Sequence, residues 1–372
     1  MQASGKDYDQ ERHEGGTCHF IEGMLAVPLR DAEVARRTLE QQGIEQGGWN
    51  DDELLELLEG LGEDDVGSIR ETLELIRVSH PHEAARMIRT RGGVRASPIH
   101  GLGHLSHFRV MSGDGPYESE EPLEGRSAAE DAAVIAVVDS GIVEEKLLPD
   151  WMTSPSVEAE DRDRAAPDPS YRLPASHGTF VVSQLRRSAP EHAVWLSRAR
   201  PRDLYSGSTD HPSAPHPTTE LDVVAALARL TKRLHESKRT VAALNLSVGA
   251  HSDAPCEDDF LLAVKLALAN WRQAFDHCPI LAAGGNVEAA VSPNPVYPGA
   301  FEDVVAVGAL DDFGVEVVWN AQGHTRDGRW RTWIDQRAHG VDRIGLSGNP
   351  ETPVVRWSGS SFATAEATSA IV

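Results

Sequence analysis

Cysteine, basic residues and long apolar runs are all scarce in this 372-residue chain. Its three scattered cysteines show no metal-site spacing and argue against a disulfide framework, which favours a reducing compartment. Lys and Arg total 35 against 58 Asp and Glu, and a net charge of −23 excludes the basic surface that nucleic acids and anionic membranes require. No apolar run approaches the ~20 residues of a membrane span, and the polar N-terminus shows no signal peptide. The sequence therefore predicts a cytoplasmic protein with neither a nucleic-acid nor a membrane partner.

The acidic residues are spread unevenly. Residues 1–130 contain 26 acidic and 13 basic side chains, and the segment from Asp51 to Asp65 has eight acids and no base. The favoured interpretation of that segment is a solvated helix face; the alternative is a docking surface for a basic regulatory partner of residues 1–130. With 40% apolar residues, the chain can bury a sizeable core, and its length predicts two domains.

The N-terminal third has the pattern of a small helical domain. Residues 30–91 carry apolar side chains at helical spacing, and Asn50 and Asp51 precede one apolar face as helix caps. One predicted helical stripe consists of Val66, Ile69, Leu73 and Ile76. The composition then turns to Gly, Ser, Pro and Glu. These patterns predict a helical regulatory region over 1–110 and a linker over 111–130.

The remaining residues, 131–372, alternate between buried strands and helices. The apolar runs that predict strands are 132–141, 193–199, 241–249, 279–285 and 303–310. The helical patterns between them are 178–188, 218–237 and 258–275. This alternation predicts an α/β domain with a doubly wound parallel sheet, in which functional residues collect at the carboxyl ends of the strands.

Three polar residues at such positions form a chemically sensible set. Asp139 closes the first strand, His177 opens a helix, and Ser361 follows a Gly-Ser turn into the last helix. Alone, each is best explained as a cap or a surface residue. Together they provide a nucleophile, a base that takes its proton and a carboxylate that orients the base, in the chain order Asp, His, Ser.

At these residues the sequence resembles the subtilisin-like serine protease family (subtilases, peptidase S8). The matching segments, in family order, are AVIAVVDSGI with Asp139, SHGTFVVSQL with His177, LNLSVGA with Ser247, Val248 and Gly249, ILAAGGN with Asn286, YPGAFEDVVAVGAL at 297–310, and GSSFATAEAT with Ser361. The resemblance covers about residues 132–372. It implies a subtilisin-like catalytic domain over 131–372, which here follows the smaller, mostly helical N-terminal domain predicted above, and a bacterial-type hydrolase that cleaves protein or peptide substrates.

The resemblance also implies a role for each residue. Ser361 would be the nucleophile, His177 the base, and Asp139 the residue that orients it. Asn286 would donate to the oxyanion, and the segment from Ser247 to Gly249 would bind extended substrate. The resemblance implies no cofactor, and the sequence shows no segment to which a calcium or other metal site can be assigned.

The chain departs from the family pattern in four places. Ala365 stands where the family has Pro, Ser360 precedes the nucleophile in place of Thr, and an extra glycine in Gly284-Gly285 could shift the Asn286 amide. Only eleven residues follow Ser361, which predicts a catalytic domain that is short at its C-terminus.

Family precedent predicts that residues 1–130 restrain the protease, with 75–110 as the inhibitory part and 111–130 as a self-cleavage site. The competing interpretation is an inactive subtilase fold that serves as a binding or signalling module. A nucleotide-binding fold is disfavoured, because no Gly-x-Gly-x-x-Gly follows any strand. A metal site at His100, His104 and His107 is also disfavoured, since the intervening glycines spoil a helix.

Overall fold

The structure is a computed structural model. It describes residues 8–13, 16–57, 61–100, 116–159, 162–163, 174–199, 219–251, 259–286, 295–320, 323–324, 330–331 and 333–372. These residues form two compact units. The first comprises the described parts of Met1–Leu102, Arg200–Ala228 and Ser252–Trp271, and the second those of Gly103–Ala199, Arg229–His251 and Arg272–Val372.

The N-terminal part of the first unit is an antiparallel sheet with helices. Its strands are β1 (Tyr8–His13), β2 (Gly16–Pro28), β3 (Gly47–Gly48), β4 (Leu73–Arg77) and β5 (Ser97–His100). Its helices are α1 (Ala32–Gln41), α2 (Asp51–Leu57), α3 (Glu63–Thr72) and α4 (Pro81–Met87), the last continued by a π-helical turn. The strands are ordered β1-β2-β4-β3, and β5 also pairs with β2. Leu25, Leu39, Ile76 and Ile88 pack in its core.

One expectation for this region is wrong. The predicted stripe from Val66 to Ile76 is not a single helix, because α3 ends at Thr72 and the chain continues as strand β4. Val66 and Ile69 are buried on α3, whereas Ile76 pairs with Leu25 of β2. Pairing with a distant strand has overridden the local helical spacing. The helices expected here are therefore present, together with a sheet that the sequence pattern did not reveal.

The predicted cap of α2 is confirmed. The Glu53 backbone N–H donates to Asn50 Oδ1 at 2.9 Å, and the Asn50 N–H donates to Glu53 Oε2 at the same distance. This reciprocal capping box satisfies two donors at the start of the helix. The hydrogen bond from Asn50, followed by one from Arg77, lowers the pKa of Glu53.

The described residues of the rest of the chain contain sixteen strands, four α-helices and two short 3-10 helices at Glu145–Leu147 and Asp150–Met152. The strands are β6 (Tyr117–Glu118), β7 (Val134–Asp139), β8 (Ile142–Val143), β9 (Val157–Ala159), β10 (Arg162–Asp163), β11 (Ala193–Arg198), β12 (Val241–Leu246), β13 (Ala250–His251), β14 (Ile280–Ala283), β15 (Val296–Tyr297), β16 (Val305–Leu310), β17 (Gly323–His324), β18 (Trp330–Arg331), β19 (Gln336–His339), β20 (Arg343–Leu346) and β21 (Val354–Trp357). The helices are α5 (Pro174–Ser188), α6 (Glu220–Ser237), α7 (Leu262–Ala274) and α8 (Ser360–Ile371).

The main sheet is parallel and confirms the predicted α/β fold. Its seven strands are ordered β19-β16-β14-β12-β7-β11-β9, and they include all five strands predicted from apolar runs. Helices cover both faces. Along β11, Val194 and Leu196 pack with Phe180 of α5, whereas the intervening Trp195 lies 5.0 Å from the guanidinium of Arg233 on α6. Since alternate side chains of a strand face opposite ways, α5 and α6 lie on opposite faces of the sheet.

Residues 116–128, within the predicted linker, are bonded into the second unit, and we call them the strap. Tyr117 of β6 pairs with Arg356 of β21, the strand that leads towards Ser361. The Arg126 carbonyl accepts from the buried guanidinium of Arg186 on α5, whose pKa burial lowers to about 10. The Ala128 N–H donates to Ser156 Oγ at 2.7 Å. The predicted linker residues 111–115 lie outside the described residues.

The residues that come directly after the three central strands lie at one edge of the sheet. β7, β12 and β14 are neighbours and parallel, and they end at Asp139, Leu246 and Ala283. Segments that follow these strands therefore converge, as expected for the functional edge of a doubly wound sheet. None of the helices in the described part of the chain is long and apolar enough to cross a membrane.

Candidate active site

Asp139 and His177 form a buried hydrogen bond at this edge. Asp139 is the last residue of β7 and His177 lies in the first turn of α5. His177 Nδ1 lies 2.8 Å from Asp139 Oδ1, which also accepts the Ser140 N–H at 2.6 Å. An ionised carboxylate only accepts hydrogen bonds, so this contact places the imidazole proton on Nδ1 and leaves Nε2 as a base.

Glycine at position 178 permits this approach. A Cβ on Gly178 would lie 2.0 Å from the Gly141 carbonyl oxygen and 3.1 Å from Asp139 Oδ1. The Gly178 N–H also donates to Ser140 Oγ at 3.2 Å. Gly141 itself has φ +111°, which side chains rarely adopt. The glycines beside Asp139 and His177 thus bring β7 and α5 into direct contact.

Two aromatic rings hold the imidazole on its other sides. The His177 ring lies 5.7 Å from the Trp357 ring in an edge-on arrangement, and 5.6 Å from the Phe362 ring. Trp357 ends β21 and Phe362 directly follows Ser361, so His177 lies beside the start of α8. Sequence reasoning missed both rings, although they flank the predicted nucleophile.

Of the two adjacent serines, Ser361 presents the more accessible hydroxyl. Ser360 is 1% exposed, and its Oγ accepts the Gly285 N–H at 3.2 Å. Ser361 is partly exposed, and its Oγ donates to the Ser247 carbonyl at 3.5 Å, a long and weak hydrogen bond. The Ser360 hydroxyl therefore connects the two segments, while that of Ser361 is only weakly held.

Asn286 is anchored by one end of its amide. Its Oδ1 accepts the Ser360 N–H at 2.8 Å, so the Nδ2 end is the one that can donate to a ligand. Gly285 has φ +101°, and its glycine freedom accommodates the extra residue before Asn286. The amide thus reaches the start of α8 despite that extra residue.

A small pocket adjoins Ser361 and Asn286. Its empty volume is about 270 Å³ including the open mouth, and it is lined by Ser247, Gly249, Ala283, Gly285, Asn286, Val296, Ser360 and Ser361. Ser247 also donates through Oγ to the Ser361 carbonyl at 3.1 Å. Val248 is buried and does not line the pocket. The structure thus brings all seven predicted site residues to this edge, with the side chain of Val248 buried.

The histidines considered as metal ligands form no such site within the described residues. His100 is buried against Glu220, with Nδ1 at 3.2 Å from Oε1, and His104 and His107 lie outside the described residues. Across the described parts of the chain, no group of three or more His, Cys, Asp or Glu side chains is placed to hold a metal ion.

A profile of the subtilase family matches residues 130–372, and the chain belongs to this family of serine proteases. Among solved structures, the epidermin leader peptide processing serine protease EpiP of Staphylococcus aureus is similar, with a TM-score of 0.51 and 12% identity over 93% of this chain and 86% of that one. The prenylagaramide maturation protease PagA has a TM-score of 0.42 and 21% identity over 64% and 72%. A lanthipeptide protease has a TM-score of 0.45 and 15% identity over 66% and 72%. No match is found among curated proteins. At these identities, the likeness to EpiP shows the fold alone.

Proposed function

We propose that this protein is a serine endopeptidase that uses Asp139, His177 and Ser361. Membership of the subtilase family supports the class of reaction. The observation that carries the proposal is the buried 2.8 Å contact between Asp139 and His177, beside the helix that presents Ser361. When Asp139 is ionised, this contact leaves Nε2 of His177 free to accept a proton, and the ring lies beside the start of α8, where Ser361 is partly exposed.

The proposed reaction passes through an acyl-enzyme. Ser361 Oγ attacks the scissile carbonyl carbon while its proton moves to His177 Nε2, and Asp139 stabilises the imidazolium. His177 then protonates the leaving amine as the C–N bond breaks. A water molecule, deprotonated by His177, hydrolyses the ester and returns the Ser361 hydroxyl. The hydrogen bond from Ser361 to the Ser247 carbonyl is long and weak, so little energy is needed to break it. Contacts between catalytic groups often become short only when substrate binds.

The developing oxyanion would be held by two donors. One is Asn286 Nδ2, whose orientation follows from the anchored Oδ1. The other is the Ser361 backbone N–H, in the first turn of α8, where N–H groups have no partner within the helix. The backbone of residues 247–249 would pair with extended substrate as an added strand.

We further propose that residues 1–130 restrain the protease. Within the first unit, His100 at the end of β5 donates its N–H to Glu220 Oε1 at 2.8 Å, and Ala263 near the start of α7 donates to Glu220 Oε2 at 3.1 Å. Arg95 bonds Asp259 at 2.9 Å. The N-terminal region thus bonds directly to Glu220 in the first turn of α6 and to Asp259 just before α7, both within the family match. These hydrogen bonds support the proposal that the N-terminal region is held in place until it is released.

Fluorophosphonate labelling combined with a peptide library tests the proposed activity. We expect the probe to label the protein, once incubation has allowed it to release its N-terminal region, at one serine, Ser361, as located by mass spectrometry, because only an activated hydroxyl attacks phosphorus readily. The same preparation should cleave library peptides at internal bonds. Labelling absent from the wild type, together with an uncut library, would favour the alternative of an inactive binding module.

Incubation of the pure protein tests self-cleavage. We expect the wild type to shorten from its N-terminus with time while the Ser361→Ala variant stays intact. Because the strap is bonded to β21 and α5, the new N-terminus should lie before Tyr117, and terminal sequencing of the product measures it. Identical intact bands for both proteins would contradict self-cleavage, and a cut inside the strap would contradict its predicted position.

A further inference from the structure

The pocket beside Ser361 is built almost entirely from small residues. Serine, alanine and glycine supply its walls, and Asn286 and Val296 are the only larger side chains among the lining residues that the structure describes. None of these lining residues carries a charge. Since the pocket opens next to both the Ser361 hydroxyl and the Asn286 amide, it is where the side chain on the acyl side of the cleaved bond, the P1 side chain, would enter.

Val296 limits the size of this pocket. A Cβ on Gly249 would lie 2.9 Å from Val296 Cγ1, so the branched side chain already reaches across to the opposite wall. Val296 is 1% exposed, which means that its isopropyl group is packed rather than free to swing into solvent. The valine therefore occupies space that a longer P1 side chain would need.

The backbone of Val296 is also fixed. Its strand β15 pairs with β13, with Val296 opposite His251, and the next strand residue, Tyr297, pairs with Ala250 directly after Gly249. The two walls are thus parts of one small sheet, and the pocket cannot widen by moving one wall alone. Because close-packed interiors yield little to an oversized group, a bulky side chain would meet strain.

We propose that Val296 restricts this protease to small, uncharged P1 residues such as Ala and Ser. This inference rests on the proposed function and names its substrate class. A hydrophobic pocket discriminates by about 10- to 200-fold for each misplaced methylene group. The pocket therefore favours P1 Ala over P1 Phe by at least about tenfold in kcat/KM.

The test uses tetrapeptide p-nitroanilides that differ only at P1, assayed with the wild type, Val296→Ala and Val296→Leu, each prepared as the full chain and incubated to allow release of the N-terminal region. The readout is the ratio of kcat/KM for P1 Phe to that for P1 Ala within each variant, which does not depend on the folded fraction. We expect Val296→Ala to raise this ratio about tenfold or more. Val296→Leu should lower the ratio of P1 Val to P1 Ala.

Val315→Ala is the matched control, since this valine is 59% exposed and does not line the pocket. It should leave all ratios within about twofold of the wild type. If the wild type is active and Val296→Ala has the same ratio of kcat/KM for P1 Phe to P1 Ala as the wild type, the role of Val296 would be overturned. The proposed function would still stand. A wild type that neither cleaves any peptide nor reacts with a fluorophosphonate would overturn the proposed function, and the P1 preference with it.

Discussion

Replacement of Ser361 by alanine is expected to lower kcat for peptide hydrolysis by about 10⁶-fold, the largest effect of any substitution considered. The hydroxyl of Ser361 is partly exposed and weakly held, and it is the proposed nucleophile. Alanine removes the attacking atom and the long hydrogen bond to the Ser247 carbonyl, but it keeps the Ser361 backbone carbonyl that accepts from Ser247 Oγ, so the fold should persist. Steady-state assays on the best library peptide, with the melting temperature measured in parallel, give the comparison.

Ser360→Ala is the informative control because it removes a hydroxyl one residue away. That hydroxyl accepts the Gly285 N–H, and its loss should cost about 1 kcal/mol of stability. The Ser360 N–H that anchors Asn286 remains in place. Activity should fall by no more than about tenfold. If Ser360→Ala were the inactive variant and Ser361→Ala the active one, the assignment of the nucleophile would be wrong.

Replacement of Asp139 by asparagine is expected to lower kcat by about 10⁴-fold. Asn keeps the shape of the side chain and can still accept the Ser140 N–H through its oxygen. Its NH₂ group would then face His177 and favour the tautomer that carries its proton on Nε2. The imidazole could no longer take the Ser361 proton, and fluorophosphonate labelling should slow with peptide hydrolysis.

Asp335→Asn provides a comparison in which a carboxylate accepts a backbone N–H but lies away from the site. Asp335 Oδ2 accepts the Ala306 N–H at 2.9 Å, and the residue is exposed. This variant should keep wild-type kcat. Equal activity of Asp139→Asn and Asp335→Asn would exclude an orienting role for Asp139.

The strands and helices of the second unit could be predicted from sequence largely because their signals are local. Continuous apolar runs are typical of strands buried on both faces. Each of the strands β7, β11, β12, β14 and β16 lies within such a run. Asp139, His177 and Ser361 lie at the ends of these elements, where backbone chirality and sheet direction bring them to one edge. The special backbone positions at Gly141 and Gly178 were likewise visible as glycines in the motifs.

The features missed by sequence reasoning depend on distant partners. β4 has apolar residues that suit a helix as well as a strand, and only its pairing with β2 decides between them. Trp357 and Phe362 are ordinary core residues by composition, and their contact with His177 arises because α5 packs against α8. The size limit set by Val296 comes from a strand pair, β13 with β15, too short to leave a sequence pattern.

Because of the strap, the segment that matches the family is shorter than the segment that folds together. The family match begins at residue 130, yet β21 takes its outer strand from Tyr117 and Glu118. The buried guanidinium of Arg186 donates to the carbonyl of Arg126 as well as to those of Pro190 and His192, and a chain cut at the homology boundary would lose the Arg126 acceptor. We therefore expect the smallest autonomously folding form of this domain to begin at residue 116 or earlier.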